Sequence, residues 1–229
     1  MKKRGLSNLW GKSLADLQDT LVKVPRNIVC AADTDIVIEG FPRSGNTFTI
    51  DMLSILQEGS DKRLKIAHHT HVIENILIGR KLDRPIIALI RRPEDAILSY
   101  TIFSGKSVEF SAQRYFNFYN AILHMDPVPT IVDFSTVVGD FNKVVELVNT
   151  ATGASIPLSS DLKADGVRAH ALAEGRARGT HGDSYALRIG APNKDREKVK
   201  LERRASIAGF LADHTEVQDL YDRVAAQAI

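Results

Sequence analysis

The chain has 229 residues, enough for one domain of above-average size with its own core. Its 44% hydrophobic and 25% charged residues exclude a wholly disordered chain. Thirty Lys and Arg against 28 Asp and Glu exclude a strongly basic nucleic-acid coat or an acidic tail, though not a local basic pocket.

Met1-Lys2-Lys3-Arg4 is basic like the start of a signal peptide, but Asn8, Lys12, Asp16 and Asp19 interrupt any apolar run behind it. The longest apolar runs are strand-sized, so no transmembrane segment is expected. Residues 1–30 read as a helical extension. Leu14, Leu17 and Leu21 are spaced for a helix over Ser13 to Val22, with Ser13 placed to cap it. The basic start and Trp10 could touch an anionic membrane, or the segment packs on the domain edge. The lone cysteine, Cys30, can build neither an internal disulfide nor a Cys-based zinc site, which favours a reducing, cytoplasmic setting.

Asp35-Ile-Val-Ile-Glu39 predicts a strand, a glycine-containing turn follows, and Thr47 to Leu56 predicts a helix. Leu64 to Ala67 predicts a second strand and Val72 to Ile78 a short helix. Pro85 to Ile90 is nearly all apolar, as expected of a strand covered on both faces. Helices are predicted over Glu94 to Phe103 and Val108 to Leu123, a strand over Val128 to Asp133, and a helix over Phe141 to Asn149. From Asp161 to Gly190 glycines and arginines mix with few apolar residues, which predicts a flexible lid or a plain surface excursion. Helix resumes from Lys194, with Val217, Leu220, Tyr221 and Val224 as its apolar stripe. This alternation predicts a single α/β domain over 1–229, with a central, mostly parallel sheet flanked by helices.

Gly40-Phe-Pro-Arg-Ser-Gly-Asn-Thr47 lies between a predicted strand and a predicted helix. Backbone N–H groups and the helix N-terminus converge in such a loop, which suits a phosphate or sulfate; the alternative is an ordinary glycine turn. Asn46 occupies the place of the lysine that nucleoside-triphosphate enzymes put on the β/γ-phosphates. The cation of the loop is Arg43.

Pro42-Arg-Ser-Gly-Asn-Thr-Phe48 resembles the phosphosulfate loop of sulfotransferases that use 3′-phosphoadenosine 5′-phosphosulfate (PAPS). The resemblance implies that Arg43 stabilises the bridging oxygen, that Ser44, Gly45, Asn46 and Thr47 cradle the phosphosulfate, and that Phe48 stacks near the adenine. Arg91-Arg-Pro-Glu-Asp-Ala-Ile-Leu-Ser99, after the buried strand, resembles the 3′-phosphate motif of the same family and implies Arg91 and Ser99 as its ligands. An Arg at a strand end and a hydroxyl in the next helix can clamp one phosphate from two sides. Further along, Phe134 falls where the family has an aromatic near the adenine. Arg188-Ile-Gly190 keeps only part of a third phosphate element, for which Lys194 and Arg196 are alternatives.

His68-His-Thr-His71 closes the second predicted strand. A neutral imidazole can take a hydroxyl proton near neutral pH, and Thr70-His71 resembles the Thr-His pair of the family, so His71 is the expected base and Glu74 the reserve. A metal site on His69 and His71, or simple strand-end polarity, are the competing readings. The implied reaction is in-line sulfuryl transfer from PAPS to a hydroxyl or amine acceptor, leaving adenosine 3′,5′-bisphosphate (PAP), with no metal required. Small-molecule, glycan and lipid acceptors stay open; no nucleic-acid partner is expected, and the charge balance disfavours a heparin-like one. The aromatic run from Phe103 to Tyr119 either lines an acceptor cavity or belongs to the core. The alternatives to a transferase of this kind are a phosphotransferase using ATP or GTP, and a nucleotide-binding module without activity.

Overall fold

The computed structural model describes residues 10–182 and 194–229. Helix α1 (Leu14–Thr20) has its start fixed reciprocally: Asp16 N–H donates to Ser13 Oγ, and Ser13 N–H donates to the Asp16 carboxylate. A 3₁₀ turn (Arg26–Ile28) leads to β1 (Ile36–Gly40), followed by α2 (Asn46–Leu56), β2 (Ile66–His68), α3 (Ile73–Lys81) and β3 (Ile86–Ile90). Then come α4 (Pro93–Ser104), α5 (Val108–Leu123), β4 (Thr130–Asp133), α6 (Phe134–Gly139) and α7 (Phe141–Thr152). The last helices are α8 (Leu162–His181), α9 (Lys194–Ala212) and α10 (Thr215–Ala225).

The four strands form one all-parallel sheet in the order β2-β1-β3-β4. Parallel neighbours require crossovers, and the helices that supply them cover both faces of the sheet. Side chains alternate accordingly. Val37, Ala88 and Ile90 enter one core with Leu17, Ile76, Ile97, Tyr115 and Val217. Ile36, Ile38, Ile87 and Leu89 enter the other with Met52, Leu53, Val144 and Ala169. Because the chain passes from β1 outward to β2 and back across to β3, the loops after β1 and β3 part company at the carboxyl ends of the strands. That divergence opens the crevice where α/β sheets receive ligands.

One expectation changes and open alternatives resolve. Over Leu162–His181 the expected lid or excursion is one helix, capped by Asp161, whose carboxylate accepts from Ala164 N–H. Small residues let it lie close to α2: a Cβ on Gly166 would sit 3.8 Å from the Phe48 ring. Arg176 and Arg168 tie it further to Asp51 and Glu58. Residues 183–190 of that stretch, Arg188 among them, lie outside the described residues, as do Lys2, Lys3 and Arg4. Trp10 packs on the core. The aromatic run is mainly core: Tyr115, Phe116, Phe118 and Tyr119 are buried. After β4 the chain enters the short helix α6 at once, capped by Asp133 through Ser135 N–H. Among the described residues no helix is long and apolar enough to cross a membrane.

Close packing of helix on sheet makes a test. Gly-to-Ala inside a helix ordinarily stabilises by about 0.5–1 kcal/mol. At Gly79 of α3 a Cβ would come 2.6 Å from Val37 Cγ2 of β1, a stiff, β-branched neighbour. Gly79→Ala is therefore expected to destabilise, by about 1–3 kcal/mol in urea unfolding.

Candidate functional site

The site is built at the carboxyl ends of β1 and β3. Gly40 ends β1 so close to β3 that a Cβ there would stand 2.6 Å from the Leu89 carbonyl oxygen. The loop then curls through left-handed backbone at Arg43 (φ 75°) and Gly45 (φ 97°) and enters α2 at Asn46. No side chain caps this helix start, so its first N–H groups face the crevice without a local acceptor. Two side chains brace the loop from inside. Ser44 Oγ lies 3.2 Å from the Tyr119 hydroxyl, which donates to Leu89 O, and Asn46 Nδ2 donates to Phe41 O at 3.2 Å. Ser44 and Asn46 are buried, so they contribute backbone to the crevice rather than side chain. Asn46 braces where a triphosphate enzyme would extend a lysine.

Two guanidinium groups meet on Ser99 of α4, and a third reaches the backbone of the first. Arg43 Nε donates to Ser99 Oγ at 3.1 Å, and Arg196 Nη2 from α9 donates to the same Oγ at 2.5 Å and to Ser99 O at 3.0 Å. Arg91, just past β3, donates to Arg43 O at 3.2 Å and lies 4.1 Å over the Phe134 ring. Its own carbonyl is held by the Tyr115 hydroxyl. Arg91 Nε is buried without a hydrogen-bond partner. Burial, then the charges of Arg196 and Arg91, pushes Arg43 down to about 9; burial and Arg91 push Arg196 down to about 10. Both stay cationic at pH 7. Like charges held together out of water make a site that an anion would relieve.

The second half of the site is the turn after β2. Thr70 and His71 hang from Glu39, the fully buried carboxylate one residue before Gly40. Glu39 accepts from Thr70 N–H (2.9 Å), Thr70 Oγ1 (2.6 Å), His71 N–H (3.1 Å) and Asn75 Nδ2 (3.0 Å). These bonds hold His69 (φ 58°) and His71 (φ 55°) in left-handed backbone that favours glycine. Of the four non-glycine residues with positive φ among the described residues, three lie at this site: Arg43, His69 and His71. Such strain persists where surrounding structure over-determines it, and it gathers at functional sites.

His71 Nδ1 lies 2.9 Å from Gly40 O and 4.0 Å from the Glu39 carboxylate. A carbonyl only accepts, so Nδ1 carries the proton and Nε2 keeps its lone pair. Burial lowers the His71 pKa, against the opposing pull of Glu39. The ring is neutral and its side chain 21% exposed, which suits a base. Behind it, Arg114 donates to His71 O and to the Tyr100 hydroxyl. His69 Nε2 lies 3.0 Å from Thr47 Oγ1 at the start of α2, and His69 Nδ1 lies 2.5 Å from His68 Nδ1.

The structure thus brings together Arg43, Gly45, Thr47, His71, Arg91, Ser99 and Phe134, the last 3.2 Å from where a Gly45 Cβ would be. It does not bring in Phe48, which packs on His170 of α8 and on Phe141. Glu74, half-buried in the first turn of α3, makes no hydrogen bond or ion pair with these groups. Arg188 lies outside the described residues, and Arg196 is the candidate that reaches Ser99. Sequence reasoning passed over Glu39 and Arg114; the available signal was a carboxylate closing an otherwise apolar strand. Among the described residues no group of three or more His, Cys, Asp or Glu is placed to hold a metal ion. No protein-family model matches the chain, and no curated protein matches it.

Two outcomes follow from the histidine turn. Burial first, then neighbouring charges, pushes His68 down to about 4 and His69 down to about 3. Unfolded histidines bind protons near pH 6.5, so this stability is whole above that pH and is lost as pH falls toward 4 and 3. Between pH 7 and pH 5 the wild type is expected to lose up to about 2 kcal/mol per histidine more than a His68→Gln/His69→Gln variant, by urea unfolding. Glu39→Gln removes the charge that holds the His71 pKa up and sets an amide against N–H donors. NMR titration should find His71 protonating at still lower pH, and unfolding should cost about 2–4 kcal/mol less than in the wild type.

Proposed function

We propose that the chain is a PAPS-dependent sulfotransferase, moving a sulfuryl group to a hydroxyl or amine acceptor. The observation that carries this reading is the meeting of Arg43 and Arg196 on Ser99, with Arg91 on the Arg43 carbonyl, directly beside a helix start that no side chain caps. Two separated anionic groups on one nucleotide suit that arrangement. Arg43 and the first turn of α2 would hold the phosphosulfate end, and Arg91, Ser99 and Arg196 the 3′-phosphate. The half-buried ring of Phe134, beside Gly45, offers an apolar wall next to them. Bound there, PAPS supplies the activated sulfuryl group.

The residues of the chain supply positioning and charge. Arg43 is fixed by Ser99 on one side and packed 5.3 Å from the Phe103 ring on the other, so its charge is set before any ligand arrives. His71, its Nδ1–H engaged by Gly40 O, presents Nε2 to take the acceptor proton. Glu39 orients that ring through the backbone of its own turn and faces the imidazolium that forms. Glu74 has no such tie, which favours His71 over it as the base. The phosphotransferase alternative loses its lysine: Asn46 points back into the loop.

Thermal unfolding distinguishes the readings. PAP is expected to raise the melting temperature by several degrees at concentrations near 100 times its Kd, corresponding to about 2.7 kcal/mol. ATP with Mg²⁺ raising it while PAP does not would reverse the assignment. In His71→Ala the loss is expected in kcat, with the shift by PAP retained.

A further inference from the structure

The backbone of His71 is gripped from both ends. On one side Glu39 of β1 accepts from its N–H at 3.1 Å; on the other Arg114 of α5 donates from Nη2 to its carbonyl at 3.2 Å. Between these two holds the residue sits in left-handed backbone at φ 55°, where a side chain is strained. Each hold opposes relaxation out of that conformation.

Arg114 is itself anchored. Its Nη1 donates to the Tyr100 hydroxyl at 2.6 Å, and its guanidinium lies 5.3 Å from the centre of the Tyr100 ring. Tyr100, buried in α4, packs edge-on against Phe41 of the loop after β1. One guanidinium thus ties the base turn to α4 and, through Tyr100, to the loop that carries Arg43. A planar fork of donors holds two acceptors at fixed angles, which an ammonium on a flexible stem does not.

The charge of the fork acts on the ring as well. Burial lowers the His71 pKa most; Glu39 and the bond to Gly40 pull it up, and Arg114 and then Arg43 push it down. The charged and titratable groups facing the ring are Glu39 from β1, Arg43 from the loop, Arg114 from α5 and, within the turn, His68 and His69. Glu39 favours the imidazolium and the two arginines disfavour it. A base that takes a proton and must give it back needs both pulls.

We propose that Arg114 is a positioning residue for His71: its fork fixes the strained backbone of the base, and its charge drives the proton from Nε2 to water after each transfer. The meaning for turnover rests on the sulfotransferase reading; the hold on His71 and the effect of the charge rest on the contacts alone.

NMR of the full chain without ligand reads both parts. The His71 ring is titrated, and hydrogen exchange of the His71 amide is followed, in the wild type, Arg114→Met and Arg114→Lys. In Arg114→Met the ring is expected to protonate at higher pH than in the wild type, the sign opposite to that of Glu39→Gln. Its amide is expected to exchange roughly tenfold faster. Loosening alone would also raise the titration midpoint by exposing the ring, so the lysine variant is the control. Arg114→Lys keeps the charge and loses the fork: its ring is expected to titrate at lower pH than in Arg114→Met, with the amide still exchanging faster than in the wild type. Equal titration in the two variants, or wild-type exchange in Arg114→Met, overturns the proposal. If Arg114→Met does not fold, Arg114→Gln takes its place. PAP is expected to raise the melting temperature of Arg114→Met as it does that of the wild type; loss of that shift would make Arg114 a donor ligand and overturn the positioning role. If PAP shifts neither protein, the transferase reading falls, and the NMR comparison still decides what Arg114 does to His71.

Discussion

Arg43 and Arg196 on one serine hydroxyl, with Arg91 behind them, work against the fold: burial disfavours the charged form of all three, and neighbouring arginines add repulsion at Arg43 and Arg196. The arrangement survives because four separate elements supply its parts. The β1–α2 loop carries Arg43, the end of β3 carries Arg91, α4 carries Ser99 and α9 carries Arg196. Aromatic rings take some of the burden, with Phe134 under Arg91 and Phe103 beside Arg43. An anionic ligand would neutralise what the protein alone leaves repulsive. The sheet order makes this geometry possible, since only at the parting of the β1 and β3 loops can cations from both strand ends meet.

Beside this cluster stands a carboxylate with a different duty. Glu39 is buried on the same strand that leads into the loop, and its two oxygens take four donors from the turn after β2 and from α3. It locks two histidines into left-handed backbone, ties the turn to the loop, and stands close enough to His71 Nδ1 to favour a positive charge there. One strand therefore delivers the carboxylate that holds the His71 turn and leads, four residues later, into the loop cation Arg43.

Much of the frame was legible in the sequence, because it rests on periodicity. The apolar run of β3, the alternation around β1 and the spacing of α5 and α10 all appear where the patterns place them. The helix α8 was not legible, because its hold on α2 comes from small residues and from ion pairs at Asp51 and Glu58, neither of which leaves an apolar stripe. Arg43, Arg91, Ser99 and His71 were legible through strand-end position and motif. Glu39 was not, since a strand-closing carboxylate looks like a surface residue until the turn folds over it. The role of Arg196 required the return of α9 to α4, a contact across 97 residues that no local pattern encodes. Phe48, whose place in the loop motif suggests a ligand contact, is partly buried against His170 of α8 and Phe141 of α7.

The central claim is that the arginine cluster holds two separate anionic groups of one nucleotide. Calorimetric titration of the wild-type chain with adenosine 3′,5′-bisphosphate and with adenosine 5′-monophosphate addresses it directly, because the two ligands differ only in the 3′-phosphate. The account predicts that the bisphosphate binds at least about a hundredfold more tightly, the weight of two or more charge-assisted contacts. Equal affinities for the two nucleotides would contradict it.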